Sequence, residues 1–253
     1  MVALEYFDRS DIGQLRKVNQ DLTHIIVNSH HQLLAIVCDG MGGHLAGETA
    51  AKLVVSEIVE EFNKIDYFSS TNEAKLWIKE TIAKANKSVY QHAFEKEYQG
   101  MGTTIVLCIV LDSLCLITHV GDSRAYYINN QVIEQITKDH TFVNMLIDTG
   151  SISKEQAKNH PKRNVLMKAV GVFKNLKVDV LIKEIHQGKL LLCSDGLYNG
   201  LEENDIHLLA TNNKLTVEQR VNQLIKLTNE QGGYDNIGIV LIDFDEEDLK
   251  NGD

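Results

Sequence analysis

The stretch that most limits the fold is "IVLCIVLDSLCLITHV", residues 105–120. Two apolar runs of strand length are separated only by Asp112 and Ser113. So short a link returns the second strand antiparallel beside the first, because parallel neighbours need a crossover of a dozen or more residues. The pattern recurs. "INNQ" separates the runs 124–128 and 131–136, and "HQGK" separates 178–185 and 189–194. Asn-Asn tolerates the positive φ of tight hairpin turns. Further strand-like runs fall at about 24–28, 32–38, 103–111 and 237–244.

Three long segments carry helical periodicity instead. The first, 46–65, has Ala46, Ala50, Leu53, Val54, Ile58 and Phe62 on one stripe. In 74–94 the stripe is Ile78, Ile82, Ala85 and Val89, and in 216–229 it is Val217, Val221, Leu224 and Ile225. One stripe each predicts helices that cover a sheet face. Shorter helices are expected at about 140–148, 153–158 and 202–210. Strands, two helices, strands, an irregular insert, strands, a helix and a last strand make an α+β fold rather than alternating βαβ units. The 253 residues, 43% hydrophobic, suffice for one sizeable core. No Pro/Ser-rich linker divides the chain, and Pro161 is its one proline.

Several function classes drop out. With net charge −10 and no visible basic cluster, the chain lacks the footprint of a nucleic-acid binder. No apolar run approaches the roughly 20 residues of a membrane helix. The N-terminal "MVALEYFDRSD" is too short and too acidic for a signal peptide. These readings predict a cytoplasmic protein with no membrane contact. Cys38, Cys108, Cys115 and Cys193 stand in apolar runs without a CxxC pair, and are read as buried thiols. Cysteine-based phosphate chemistry needs an arginine six residues on, where this chain has His44, Leu114, Gly121 and Asn199.

Five aspartates lie at the edges of strand runs: Asp21, Asp39, Asp122, Asp195 and Asp235. Ordinary turn chemistry explains any one of them. It explains five less well. If they converge, their like charges require a cation, since an uncompensated buried carboxylate is very costly. An all-oxygen set suits Mg²⁺ or Mn²⁺ rather than zinc. HExxH and EF-hand patterns are absent, and "DGMGGH" (39–44) matches neither GxGxxG nor a P-loop.

Six segments, in order, carry a family likeness. They are "SDIGQLRKVNQD" (10–21), "VCDGMGGHLAGETAA" (37–51), "MGTTIV" with "HVGDSRAYY" (101–127), the insert 139–171, "LLLCSDGLYNGL" (190–201) and "GGYDNIGIVLI" (232–242). Together they resemble the metal-dependent serine/threonine protein phosphatases of type 2C, in their bacterial branch. The resemblance implies a four-layer α-β-β-α sandwich of two antiparallel sheets flanked by helix pairs. It implies one catalytic domain over 1–245, a small flap at about 141–170 that bears on substrate choice, and an acidic tail at 246–253. It implies hydrolysis of phosphoserine and phosphothreonine by a water or hydroxide bridging two Mg²⁺ or Mn²⁺ ions, with a third ion beside them. Phosphorylated proteins and a cognate bacterial serine/threonine kinase are the implied partners, and a monomer is expected.

The same resemblance implies residue roles. Asp39, Asp195 and Asp235 would hold the first ion. Asp39, the Gly40 carbonyl and Asp21 would hold the second, and Asp122 with Asp195 the third. Arg16 would bind phosphate. Gly40 is expected to lack room for a Cβ beside a metal, with Gly42 and Gly43 making the bend that follows. Some positions depart from the pattern. Gln20 stands where eukaryotic members carry an acid, and Met41 where they carry a histidine. His44 is the candidate proton donor to the leaving alkoxide, against a plain role at a helix start. Gly238 replaces a common threonine as a packing detail. His119, His140 and His160 are read as structural. A pseudophosphatase scaffold and an enzyme dedicated to one regulatory phosphoprotein are the alternatives. The full acid set argues against the first, and the intact flap without an added sensor domain argues against the second.

Overall fold

The structure, a computed structural model, describes residues 4–43 and 45–244. Strands β1 (Glu5–Asp11), β2 (Asp21–Val27) and β3 (Leu33–Met41) precede helices α1 (Ala46–Phe62) and α2 (Thr71–His92). Strands β4 (Gly102–Thr103), β5 (Ile105–Leu111), β6 (Leu114–Val120), β7 (Arg124–Ile128) and β8 (Ile133–Gln135) follow. The insert carries α3 (Phe142–Asp148) and α4 (Lys154–Lys158). Then come β9 (Leu181–Glu184), β10 (Lys189–Cys193), α5 (Asp195–Gly200), α6 (Glu203–Ala210), α7 (Val217–Glu230) and β11 (Ile237–Asp243).

All strand pairings are antiparallel. One sheet runs β1-β11-β10-β7-β8, and the other β2-β3-β5-β6-β9 with β4 added at β3. Side-chain alternation sorts each central strand between two cores. In β3, Leu34, Ile36 and Cys38 face α1 and α2, while Leu33, Ala35 and Val37 face the other sheet. In β10, Leu190 and Leu192 fill the space between the sheets, while Leu191 and Cys193 pack with α5, α6 and α7. Three apolar cores therefore separate four layers. Both faces of these strands are covered, so they read as continuous apolar runs although the sheets are antiparallel.

The hairpin turns form by different means. Asp112 adopts φ +54° in the β5–β6 turn. The expected hairpin at "HQGK" does not form: β9 pairs with β6 in one sheet while β10 pairs with β11 and β7 in the other, so this short link, with Gly188 at φ +107°, carries the chain from sheet to sheet. The Asn-Asn turn needs no positive φ. The Asn129 side-chain oxygen instead accepts from the backbone N–H groups of Gln131 and Val132. Two elements were not legible. β1 is a polar edge strand with no buried residue to set a period, and α5 is short with glycine at its second and last positions, Gly196 and Gly200. The four cysteines are buried and unpaired. No described helix is long and apolar enough to cross a membrane.

The insert is tied down at its root. Thr141 bridges Leu166, and Thr103 bridges Val170. Between Lys158 and Leu181 there is no helix or strand.

Candidate metal centre

The two-sheet topology brings the five aspartates to one end of the sandwich. Asp21 opens β2 and Asp39 lies near the end of β3, and these two are directly opposed across the ladder. Like charges in that position destabilise a sheet. Asp122 sits in the β6–β7 turn, Asp195 opens α5 just past β10, and Asp235 precedes β11. Asp39 lies within Coulombic reach of all four others.

Burial is the largest influence on Asp21, Asp39, Asp122 and Asp195, and it disfavours their charged forms. It holds the Asp39 carboxyl well above the usual range, with the charges of Asp21, Asp195, Asp122 and Asp235 adding to the effect. Burial lifts Asp21 to about 8, against a lowering hydrogen bond from Ser194. Burial and the charge of Asp195 lift Asp122 to about 7. Burial and the charge of Asp235 lift Asp195 to about 6. Arg16 donates to Asp235 at 2.7 Å. Among the described residues no lysine or arginine forms an ion pair with Asp21, Asp39, Asp122 or Asp195.

The loop that bears Arg16 is fixed from behind. The N–H groups of Gln14 and Leu15 donate to the Gly233 carbonyl. Asn236 donates to the carbonyls of Ile12 and Val18, and its side-chain oxygen accepts from the N–H of Gln20. At Gly13, with φ +78°, an added Cβ would stand 2.3 Å from the Asp235 carbonyl.

The glycines of "DGMGG" differ in what they do. An added Cβ at Gly40 would lie 2.1 Å from the Gly47 carbonyl. The close approach of α1 to β3 is therefore what excludes a side chain there. Gly42 has φ +131°, whereas Gly43 faces open space. Only the first of these two needs to be glycine. Gly238 belongs to the site wall: its Cβ position is 3.3 Å from Asp21 Oδ2. Beside Gly47, Gln20 Nε2 is buried without a partner among the described residues. His44 and the tail 246–253 lie outside the described residues.

Several supporting residues were missed in the sequence. Ser194 Oγ donates to Asp21 Oδ2 and accepts from the Gly238 N–H. Asn199 donates to Asp195 at 3.1 Å. Arg124 grips Asp139 through Nε and Nη2, and its guanidinium lies 3.5 Å from the Tyr198 ring centre. Tyr198 in turn donates to the Asp122 carbonyl at 3.0 Å. The motif "GDSRAYY" contains Arg124, but its partner Asp139 is fifteen residues on and no local pattern joins them. His119 and His140 stack at 4.4 Å. The His119 ring bonds the Lys138 carbonyl, and His160 packs against Phe142.

The acids suit a divalent cation. Asp39 stands opposite Asp21 across the β2–β3 ladder, and burial together with the charges of the other four acids disfavours its charged form. A divalent cation would supply the positive charge that such a buried acidic group lacks. The donors are all oxygen, which favours Mg²⁺ or Mn²⁺. Among the described residues no three His, Cys, Asp or Glu side chains form a closed ligand set, so any ion here would complete its shell with water and backbone oxygen.

Comparison with known proteins agrees with this arrangement. The profile of the family described as "Protein phosphatase 2C" matches residues 14–235. Serine/threonine phosphatase stp of Listeria monocytogenes is 37% identical over 239 residues, covering 94% of each chain. The solved serine/threonine phosphatase of S. agalactiae superposes with a TM-score of 0.91 at 32% identity, over 96% of this chain and 100% of that one. The catalytic domain of the serine/threonine protein phosphatase PstP in complex with two manganese ions superposes at 0.81 with 28% identity, over 96% of this chain and 99% of that one. Matched along nearly its whole length, the chain belongs to the protein phosphatase 2C family and is a serine/threonine protein phosphatase.

Proposed function

We propose that this phosphatase hydrolyses phosphoserine and phosphothreonine in proteins with the help of two Mg²⁺ or Mn²⁺ ions. Asp39, Asp195 and Asp235 would hold one ion. Asp39, the Gly40 carbonyl and Asp21 would hold the other. The observation that carries this reading is Asp39, set among four other acids with no basic partner among the described residues. The two manganese ions of the related PstP structure support it. When bound, such ions supply a water acidic enough to serve as nucleophile near neutral pH.

The remaining work falls to the chain. Arg16 has the planar, forked donors that grip phosphate oxygens, and its bond to Asp235 keeps it beside the acids. His44 protonates the leaving alkoxide. Asp122, with Asp195, forms a third ion site, buttressed through Tyr198. The enzyme opposes a serine/threonine kinase acting on the same proteins.

Turnover of a phosphothreonine peptide should require added Mn²⁺ or Mg²⁺ and stop with EDTA. Asp39→Ala should remove nearly all of it. Metal-independent turnover would sink the two-ion reading. His44→Ala should slow alkyl phosphates more than p-nitrophenyl phosphate, whose leaving group needs no proton. Equal losses would remove His44 from that role.

A further inference from the structure

Between residues 154 and 177 the chain carries seven lysines and arginines and one acid, Glu155, although its net charge is −10. The longest unbroken basic run is Lys162–Arg163, which is why no cluster is visible in the sequence. All seven cations are exposed. None is in an ion pair among the described residues, whereas Lys52 on α1 pairs with Glu48 and Lys84 on α2 with Glu57 and Glu61. Lys162 instead lies over the Phe142 ring, 5.4 Å from its centre. Exposed apolar residues are interleaved with the cations, among them Val165, Met167 and Phe173.

This segment is rooted at the acid site on both sides of Lys168. The Met167 N–H donates to the His140 carbonyl, and the His140 N–H donates to the carbonyl of Gly121, the residue before Asp122. Val170 and Thr103 exchange both backbone hydrogen bonds, and the Thr103 hydroxyl donates to the Asp39 carbonyl at 2.9 Å. A basic, apolar-studded surface thus begins two hydrogen bonds from the backbone beside two of the site's acids.

We propose that this surface docks an acidic segment of the phosphoprotein, in which aspartate, glutamate or further phosphates flank the residue being dephosphorylated. The proposal rests on the phosphatase reading above and adds a substrate class to it. An acidic peptide approaching a chain of this net charge meets a repulsive surface on average. A local reversal of sign therefore selects by attraction at one place and repulsion at the others. The same imbalance disfavours nucleic acid, whose long uniform charge would overrun so short a patch. Val165, Met167 and Phe173 offer contacts to apolar residues between the acids.

The test compares two phosphothreonine peptides of equal length, one with acidic flanks and one with neutral flanks, under Mn²⁺. The acidic peptide should have kcat/KM higher by about tenfold at low salt, mostly through KM, and lose the advantage in high salt. The exposed triple variant Lys162→Glu/Arg163→Glu/Lys168→Glu should abolish or invert the preference. Replacing the same three residues by alanine should leave an intermediate preference. p-Nitrophenyl phosphate has no flanking chain and reports the acid site alone. If its Mn²⁺-dependent hydrolysis persists while both peptides react equally, docking fails and the phosphatase reading stands. If that hydrolysis is absent, the phosphatase reading itself fails. A preference that survives charge reversal overturns the proposal. So does tight binding of a single-stranded DNA oligomer without discrimination between the peptides.

Discussion

Ser194 Oγ donates to Asp21 Oδ2 at 2.5 Å, joining the end of β10 in one sheet to the start of β2 in the other. Both residues are buried, and Ser194 also accepts from the Gly238 N–H. Ser194→Ala strips Asp21 of its donor and leaves that N–H unpaired. The expected cost is about 1–3 kcal/mol in urea unfolding. Mn²⁺ affinity, read by calorimetric titration, should fall with it. An unchanged affinity would show that Asp21 contributes little to metal binding.

The protein without metal should weaken as the solution becomes less acidic. Asp21 at about 8, Asp122 at about 7 and Asp195 at about 6 all lie above the ordinary aspartate value. Raised folded values mean that protonation favours the fold. Their stabilisation is complete below about pH 4 and is lost as pH rises through roughly 6 to 8. Cations favour the charged forms and counter that loss. The gain in Tm from Mn²⁺ over EDTA should therefore be larger near pH 8 than near pH 5. Equal gains at both would separate these acids from the metal.

Arg16 is half-exposed and already bonded to Asp235, so it can exchange that partner for a phosphate oxygen without crossing a core. Arg16→Ala should raise KM for a phosphopeptide more than it lowers kcat. Arg16→Lys should recover only part, because an ammonium lacks the paired donors. Steady-state kinetics of the three proteins decide it. A pure kcat loss would place Arg16 in the chemical step instead.

Gly40 and Gly43 make a matched pair for testing what the turn requires. Gly40→Ala drives a Cβ to 2.1 Å from the Gly47 carbonyl, and should cost about 3 kcal/mol or more as strand and helix part. Gly43→Ala meets no atom within 4 Å and should leave Tm nearly unchanged. Thermal melts of both variants check the contrast.

Much of the layered fold was legible because covered strands and one-striped helices announce themselves by period. The run Leu33–Cys38 and the stripe of α1 are examples. β1 was not legible, since an edge strand with polar faces carries no period. The five aspartates could be picked out by their places at strand ends, and the antiparallel topology brings those ends together. The surrounding residues could not be found that way. Ser194 meets Asp21 across 173 positions of sequence, and Arg124 meets Asp139 through a loop with no motif of its own. The crowding of Gly40 by the α1 backbone was likewise invisible in the sequence. The basic character of the insert escaped notice because its charges are spread over residues 154–177 and not gathered in one run.

The acids come from both sheets. Asp21 and Asp39 belong to one, while Asp195 and Asp235 flank strands of the other. Cations held among them would act as rivets across the seam of the sandwich. A slip of one sheet along the other by a fraction of a residue would part the ligands while every strand kept its ladder. On that account the enzyme reads its own alignment, and catalysis is lost at a smaller deformation than the fold.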